Sequence, residues 1–492
     1  MKVVSYLALY YFMTTGNKDM KIQNSSSEPQ QQRPCKISRR DHAEDNAGTN
    51  QKVLTFVEFY CGVGGWRMAL EAAVARIYEV ETTTTTTASP TAVPTVRLQC
   101  IAALDHSDLC AKVYQHNNDD NDGAAQPSTT SIEKLTVQKA EEWKASIWAM
   151  SPPCQPHTRQ HDNQNEDLQD PRSKSFLHLC DLMESMKTPP ELVLLENVIG
   201  FERSGSFQRF RQVLSRRNYA LGNFHLSPTQ VGLPNDRPRH FAVAVRLQTN
   251  NNLSENDIPS YSGPLTKYVC QESFEKDPKA NDNNGSVNTD SSANGMSINA
   301  PACKIHTSLK ELGVQPEHQK EDSDTDGGQQ HHQRLPCIAE ILDRNGNDNL
   351  QLRVPEKLLS SNAAWCFDIV TPQDQRSSCF THSYGQYVRG TGSVLYFGDT
   401  KTSSTNDGSE RLRLVPPEER EFDKDWAKGL DLTNGLRYFS GMELARLFDF
   451  SDSFSFPTGV TRKQQWKLLG NSLNVRVAAR ISELGLRLIL KK

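Results

Sequence analysis

The segment 53–80 constrains the fold more than any other, because a strand-like run, a glycine cluster and a helix follow one another directly. The run VLTFVEFYCGVGG is apolar and ends in glycines, and the next residues, WRMALEAAVARIYEV, are good helix formers. A strand joined to a helix by a glycine-rich turn is typical of the first unit of a doubly wound sheet. We expect a ligand near this turn, since glycines allow close backbone approach and a helix N-terminus is positively polarised.

Further apolar runs alternate with helix-like stretches along the chain. VRLQCIAALDHS, ASIWAMSPPC, ELVLLENVIGF and HFAVAVRL read as strands, and DLCAKVYQHN reads as a helix. Strands that alternate with helices predict an α/β domain with a mainly parallel sheet and helices on both faces.

Shifts in composition divide the chain into five predicted parts. The low-complexity stretches are rich in Thr, Asn, Ser, Asp and Gln, a composition typical of disorder. The parts are a disordered leader (1–51), the α/β domain (52–247, with an insertion at 81–94), a flexible insertion (248–335), a small β-rich domain (336–430) and closing helices around a Gly-Asn turn (431–492). No run reaches the roughly 18 apolar residues that a membrane span requires.

Charge and cysteine content exclude several classes of protein. A net charge of −4 excludes a uniformly basic nucleic-acid coat, although residues 201–240 carry seven arginines and two acids. The 11 cysteines are scattered and include no C-x-x-C pair, which favours reduced thiols over a disulfide scaffold or a zinc ribbon. A weak metal pattern of one cysteine and three histidines lies in a low-complexity region, and we expect no metal site.

The chemically suggestive residues all follow predicted strands, at the edge where a doubly wound sheet binds its ligands. They are the glycines at 62, 64 and 65, then Asp105, Cys154 and Glu196. Asp105 can accept hydrogen bonds from a ribose diol. Because the glycine spacing is not G-x-G-x-x-G, a nucleoside such as S-adenosylmethionine is favoured over a dinucleotide.

The stretch MSPPCQPHTRQ suggests a thiol whose position is fixed by its neighbours. Pro152 and Pro153 fix two φ angles directly before Cys154. Glu196, on the neighbouring strand, could protonate a ring nitrogen while the sulfur adds to an unsaturated carbon, and such general acid help contributes about 10²–10⁴-fold. The alternatives are a buried structural cysteine and a glutamate that caps the next helix.

Several ordered motifs resemble one known family. After EFYCGVGG come PPCQPHTR, LLENVIGFE, PNDRPRHF and LLGNSLNV, and together they resemble the cytosine-5 methyltransferases over 53–247 and 336–490. The stretches CFTHSYGQYVRGTGSVL and LRYFSGMELARLFDF resemble the branch that methylates transfer RNA. The resemblance implies a Rossmann-like, S-adenosylmethionine-dependent methyltransferase sheet with a small target-recognition domain.

The resemblance also implies a mechanism. Cys154 would attack C6 of cytosine, Glu196 would bind N3 and the exocyclic amine, and C5 would then take the methyl group. Arg237 and Arg239 would hold the base, the thiol region and nearby phosphate. The base must first leave its stack, which costs less in an RNA loop than in a duplex.

Binding residues follow from the same motifs. The implied cofactor contacts are Val63, Gly64, Gly65, Asp105, Ile132, Glu133, Ser151 and Ser472. The implied substrate contacts are Gln155, Cys379 and Thr381. Because Ser472 is far from the others in sequence, the closing helix must return to the first strand.

The expected partner is the anticodon stem-loop of a tRNA, with cytosine 38 of aspartate tRNA as the target by family resemblance. We expect a monomer in the cytoplasm and nucleus, without membrane contact. His157 stands where the family usually has Phe, which should reduce activity without abolishing it. The alternatives are a DNA cytosine-5 methyltransferase and an RNA-binding scaffold that is catalytically weak.

Overall fold

The computed structural model describes most of the α/β domain and the closing helices, all within one compact unit that spans 50–492. The described ranges are 52–84, 96–118, 125–153, 166–247, 270–271, 305–306, 336–361, 363–398 and 432–490. The predicted leader, residues 85–94 of the first insertion, nearly all of the second insertion, and three residues discussed above (Cys154, Gln155 and His157) lie outside these ranges.

Nine strands of the described residues form the main sheet. They are β1 (Lys52–Phe59), β2 (Val96–Leu104), β3 (Pro127–Ser128), β4 (Ile147–Met150), β5 (Leu192–Val198), β6 (Tyr219–Leu226), β7 (Arg239–Arg246), β8 (Cys270–Gln271) and β9 (Ile305–His306). Their order is β3-β2-β1-β4-β5-β7-β6-β8, and β9 also pairs with β6. The first five are parallel, whereas β7 is antiparallel to both β5 and β6. The predicted α/β sheet is confirmed.

Two parts of the sheet differ from the expectation. Strand β6 was not anticipated, because Gly222, Asn223 and His225 interrupt its apolar pattern. The flexible insertion needs a correction at four residues, since β8 and β9 pair with β6. An edge strand presents unpaired backbone groups, and short segments can pair with them regardless of their side chains.

Helices cover both faces of the sheet. The α-helices of the described residues are α1 (Gly65–Thr84), α2 (Asp108–Asn117), α3 (Val137–Glu142), α4 (Lys174–Ser185), α5 (Gly205–Arg216), α6 (Glu356–Leu359), α7 (Leu432–Gly435), α8 (Gly441–Leu447), α9 (Arg462–Gly470) and α10 (Val475–Leu490). Helix α1 continues to Thr84, so the insertion predicted from residue 81 begins inside a helix. Among the described residues, no helix combines the length and apolar character needed to cross a membrane.

Alternating side chains on β5 separate two cores. Leu192 and Leu194 join the core that includes α1, α2 and α10, whereas Val193 and Leu195 join the core formed with α3, α4 and α5. Successive side chains of a strand point to opposite faces. Glu196 therefore belongs to the face covered by α1 and α10, where its partner on β7, Phe241, is also buried.

The closing helix returns to the first strand–helix unit, as expected. On α10, Glu483 pairs with Arg76 of α1 at 3.2 Å. Gly485 lies so close to β5 that an added Cβ would come within 2.7 Å of Leu192. The C-terminal segment is thus packed on the α/β domain.

The region predicted as a small β-rich domain contains little strand. Its described part is mainly loops and short 3-10 helices, with β10 (Ile369–Val370) and β11 (Val394–Tyr396). Strand β11 pairs with β12 (Leu436–Arg437), so this small sheet crosses the predicted boundary at 430. Aromatic packing joins the same regions, with Phe380 5.3 Å from Phe439 and Tyr384 5.0 Å from Trp466 between ring centroids.

Candidate active site

The turn after β1 and the end of β2 form what we call the cofactor edge, defined by residues 60–65, Asp105 and Ser151. The Gly62 N–H donates to Asp105 Oδ2 at 2.9 Å, and the Ser107 N–H donates to Asp105 Oδ1 at 2.9 Å. Gly62 and Gly64 have φ values of +53° and +94°, which glycine adopts readily. The Asp105 carboxylate is therefore fixed in orientation at the ends of two adjacent strands.

A buried carboxyl group lies beneath this turn. Glu58 accepts hydrogen bonds from the Trp66 N–H at 3.1 Å and from the Tyr114 hydroxyl at 3.2 Å. Burial raises the pKa of Glu58 to about 8, even though these hydrogen bonds favour the charged form. Glu58 thus links β1, α1 and α2 behind the cofactor edge.

The other expected cofactor residues differ in their surroundings. Ser151 Oγ accepts a hydrogen bond from the Trp66 indole at 3.1 Å, which holds it beside α1. Ile132 is buried and Glu133 exposed in a short 3-10 helix that follows β3. Val63 is 1 % exposed, so its side chain is part of the core beneath the turn.

The segment after α9 completes this edge. Ser472 Oγ donates to the Leu468 carbonyl at 2.9 Å, which uses its proton within the helix end. The next residue, Leu473, packs on Gly65, where an added Cβ would lie 3.0 Å from its side chain. The structure therefore brings the region of Ser472 to the first turn.

The cofactor edge has the groups that an S-adenosyl nucleoside needs. A Cβ added to Gly62 would meet no atom within 4 Å, so open space lies at the turn. Asp105 offers a carboxylate for ribose hydroxyls, and the N-terminus of α1 offers a positive dipole for a carboxylate. The residues present fit the cofactor.

The backbone that leads to Cys154 is anchored from β5. The Asn197 side chain, 2 % exposed, donates to the Pro152 carbonyl at 3.1 Å. Asn197 also accepts from the Val198 N–H at 2.8 Å, so both ends of its amide are used. The carbonyl two residues before the thiol is thus attached to the residue that follows Glu196.

Glu196, Arg237, Arg239 and Cys379 form what we call the base side. Glu196 pairs with Arg239 through Oε1 and Nε at 3.4 Å, with side chains 9 % and 16 % exposed. Arg239 begins β7 two residues before Phe241, the residue opposite Glu196, and such diagonal neighbours reach each other on one face. Its Nη1 also donates to the Pro238 carbonyl at 2.8 Å.

Arg237 is buried and joins three distant segments. Its Nη1 donates to the Phe380 carbonyl at 2.6 Å, and its Nη2 donates to the carbonyls of Gly470 and Ser472 at 3.0 and 2.7 Å. The guanidinium carbon lies 5.0 Å from the Phe448 ring centroid. With 3 % exposure, Arg237 does not face a phosphate site, and that part of its expected role is corrected.

The expected substrate residues at 379 and 381 begin a loop that packs on α9. Thr381 N–H donates to the Thr391 carbonyl at 3.0 Å. Gly470 is required at the contact, since an added Cβ would lie 2.2 Å from the Thr381 backbone. Cys379 is partly exposed, with its sulfur 3.4 Å from Arg237 Nη1 and 3.7 Å from Arg239 Nη2.

Sequence reasoning missed the residues that support the site from behind. Glu58 accepts a hydrogen bond from the start of α1, and the Trp66 indole donates one to Ser151. Asn197 donates one to the Pro152 carbonyl. Polar residues at the ends of apolar runs were the available signal. Asn235, fully buried, donates to the Ser378 carbonyl at 2.9 Å and so attaches the PNDRPRH segment to residues 377–379.

A family comparison agrees with this geometry. The sequence model of the family described as "C-5 cytosine-specific DNA methylase" matches residues 54–484. The chain belongs to this family. It is therefore a cytosine C5 methyltransferase, and the family implies S-adenosylmethionine as methyl donor.

Relatives of this methylase span nearly the whole chain. It is 30 % identical over 432 residues to the tRNA (cytosine(38)-C(5))-methyltransferase of Homo sapiens, covering 87 % of this chain and 98 % of the relative. It is also 30 % identical over 435 residues to the DNA (cytosine-5)-methyltransferase of Dictyostelium discoideum, covering 87 % and 93 %.

Solved structures support the fold. The Schizosaccharomyces pombe Dnmt2 methyltransferase aligns with a TM-score of 0.57 at 24 % identity, covering 89 % of this methylase and 99 % of that chain. The Entamoeba histolytica methyltransferase EhMeth aligns with a TM-score of 0.58 at 22 % identity, with the same coverage.

Proposed function

We propose that this methylase transfers a methyl group to C5 of a cytosine in tRNA, at position 38 of the anticodon loop of aspartate tRNA. One observation carries the proposal: Glu196, the Arg239 guanidinium and the anchored approach to Cys154 converge at the same sheet edge as Asp105. Relatives named for cytosine 38 of tRNA support RNA as the substrate. The scattered, unpaired cysteine pattern supports a reducing location, the cytoplasm and nucleus.

In the proposed reaction the Cys154 sulfur forms a bond to C6 of the everted cytosine. Glu196 donates a proton to N3 as this bond forms, and the Arg239 contact holds the carboxyl group in place. When bound at the cofactor edge, S-adenosylmethionine would supply an electrophilic methyl group for C5. N3 returns its proton to Glu196 when C5 is methylated. Loss of the C5 proton to solvent then re-forms the C5–C6 double bond and expels the Cys154 thiolate, which leaves a neutral methylated base.

Residues of the chain position the thiol, the cofactor and the base. Pro152 and Pro153 restrict the backbone before Cys154, and Asn197 fixes the Pro152 carbonyl. Asp105, with Val63, Gly64 and Gly65, would hold the cofactor, helped by Ile132, Glu133, Ser151 and Ser472. Gln155, Cys379 and Thr381 would line the substrate side.

The test is transfer of tritium from labelled S-adenosylmethionine to purified tRNA and, separately, to duplex DNA. We expect counts in tRNA with the wild type and none with Cys154→Ala, while the control Cys366→Ala retains activity. Bisulfite sequencing of the product locates the modified cytosine. Equal counts for wild type and Cys154→Ala would show that the Cys154 thiol is not the catalytic nucleophile.

DNA remains the second candidate substrate, because the family description and the Dictyostelium relative both name DNA. The same assay decides between them. Greater transfer to duplex DNA than to tRNA would reverse the proposal without changing the chemistry at Cys154.

A further inference from the structure

We infer that Cys379 is a thiolate held between Arg237 and Arg239, and that it is a modification site for hydroperoxides and alkylating electrophiles. Its sulfur lies 3.4 and 3.7 Å from the two guanidinium groups. The residue is partly exposed, so a small reagent can reach it. The thiol expected to react in catalysis is a different one, Cys154.

The burial of Arg237 requires a counter-charge. Among the described residues, no carboxylate forms an ion pair with Arg237, and Cys379 is the ionisable acid that its guanidinium contacts. Arg437 shows the usual arrangement, because its fully buried guanidinium has two hydrogen bonds to Glu443, at 2.8 and 2.7 Å. Buried charges in proteins are paired, and a thiolate at Cys379 fills this role.

The two arginines also outweigh the effect of burial on the thiol. Burial raises the pKa of Cys379, whereas Arg237 and Arg239 lower it, and the net shift is downward. Cys110 is the matched contrast, being partly exposed but next to Asp105. Burial and that carboxylate raise the pKa of Cys110 to about 12.

The reaction with a hydroperoxide is a simple displacement. The thiolate sulfur attacks the terminal peroxide oxygen, the O–O bond breaks, and hydroxide or alkoxide leaves as the cysteine becomes sulfenic acid. The sulfur is oxidised by two electrons and the peroxide is reduced by two. Cys379 then loses its negative charge, and Arg239 loses one of the two acidic groups that orient it, the other being Glu196.

An effect of Cys379 oxidation on methyl transfer, through the changed position of Arg239, rests on the proposed function. The reactivity of the Cys379 thiolate does not. Labelling needs neither RNA nor cofactor, so the two ideas can fail separately. Full-length Cys154→Ala protein is treated with iodoacetamide from pH 6 to 9, and labelled peptides are quantified by mass spectrometry. A parallel sample receives hydrogen peroxide and then dimedone, which traps sulfenic acid.

We expect Cys379 to be alkylated at least about tenfold faster than Cys110 at pH 7, with its half-maximal rate well below the pH of about 8.5 typical of a free thiol. Dimedone should mark Cys379 and not Cys110. Equal rates at the two thiols would overturn the inference.

A second variant tests the cause. In the Cys154→Ala background, Arg239→Gln should move the half-maximal pH of Cys379 alkylation upward by about one unit. Arg376→Gln, which removes an exposed arginine paired with Asp236, should leave it unchanged. A thermal unfolding curve verifies that each variant is folded. If Arg239→Gln is folded and leaves the labelling profile unchanged, the two-arginine explanation is wrong.

Discussion

The cofactor edge and the base side lie on the same sheet but are assembled in different ways. At the cofactor edge, Gly62 and Asp105 are 43 residues apart and lie at the ends of adjacent parallel strands. At the base side, Arg237 contacts Cys379 and Ser472 across 142 and 235 residues. The glycine turn and Asp105 are local in sequence, and the segment after α9 only packs on that turn. The base side, in contrast, depends on three distant segments that meet at one guanidinium.

This difference determines whether a substitution at each site changes ligand affinity, reaction rate or stability. A change at the cofactor edge should alter affinity for one ligand and leave the rest of the fold intact. A change at the base side should alter either the rate or the stability, depending on whether the residue faces the base or joins the segments.

The largest effect is expected for Glu196→Gln. The amide cannot supply the proton, so methyl transfer should fall by about 10²–10⁴-fold. Cofactor affinity, measured by isothermal titration calorimetry, should stay within a factor of two of the wild type. A large loss of cofactor binding would mean that the two sides are not separate.

Glu58, beneath the cofactor edge, should make the free energy of unfolding depend on pH. Its pKa is raised from 4.5 to about 8, so between these values the folded state keeps a proton that the unfolded state has lost. Stability therefore falls as the pH rises through this window, by about 5 kcal/mol in total. Denaturant unfolding at pH 5 and pH 8 should show this fall in the wild type and not in Glu58→Gln. Parallel behaviour of the two proteins would contradict the raised pKa.

Arg237→Met should act on stability. It removes the donors to the carbonyls of Phe380, Gly470 and Ser472, and leaving these buried groups unpaired should cost about 3 kcal/mol. The control Arg376→Met, at an exposed ion pair, should change the free energy of unfolding by about 0.5 kcal/mol or less. Similar losses in the two variants would show that Arg237 does not join the segments.

The smallest effect is expected for Asp105→Asn. The amide oxygen can accept one of the two backbone N–H bonds, but the charge that favours the ribose diol is lost. The dissociation constant for S-adenosylmethionine should rise by about tenfold, equivalent to about 1.4 kcal/mol, with the rate at saturating cofactor nearly unchanged. Asp108→Asn, three residues away on an exposed position, is the control. A large fall in the saturated rate would place Asp105 in the chemistry itself.

The same contrast explains which features of the fold and the site could be predicted from the sequence. The run from Val53 to Gly65 predicted a strand, a turn and a helix because each signal is local. The pairing of Glu196 with Arg239 needed the antiparallel β5–β7 register, and nothing in a short window reports which distant strand lies alongside. The motifs that resemble a family assigned both residues to the same cytosine, but they did not predict this pairing or the antiparallel register.

Other features were hidden for similar physical reasons. Strand β6 lacks a clean apolar pattern because Asn223 bonds with His240 in the interior at 3.1 Å. Arg237 looked like a phosphate ligand, since sequence alone does not distinguish a buried guanidinium from an exposed one. The position of the Cys154 thiol lies outside the described residues and stays a prediction.

The contacts of Arg237 also determine when the protein can first become active during its synthesis. Two of its carbonyl partners, at Gly470 and Ser472, lie 233 and 235 residues later in the chain. A nascent chain can fold its glycine turn early, since N-terminal regions emerge first from the ribosome. It can complete the base side only once α9 and the residues after it have been synthesised, so a polypeptide stopped before α9 would carry most of the catalytic motifs without the architecture that unites them.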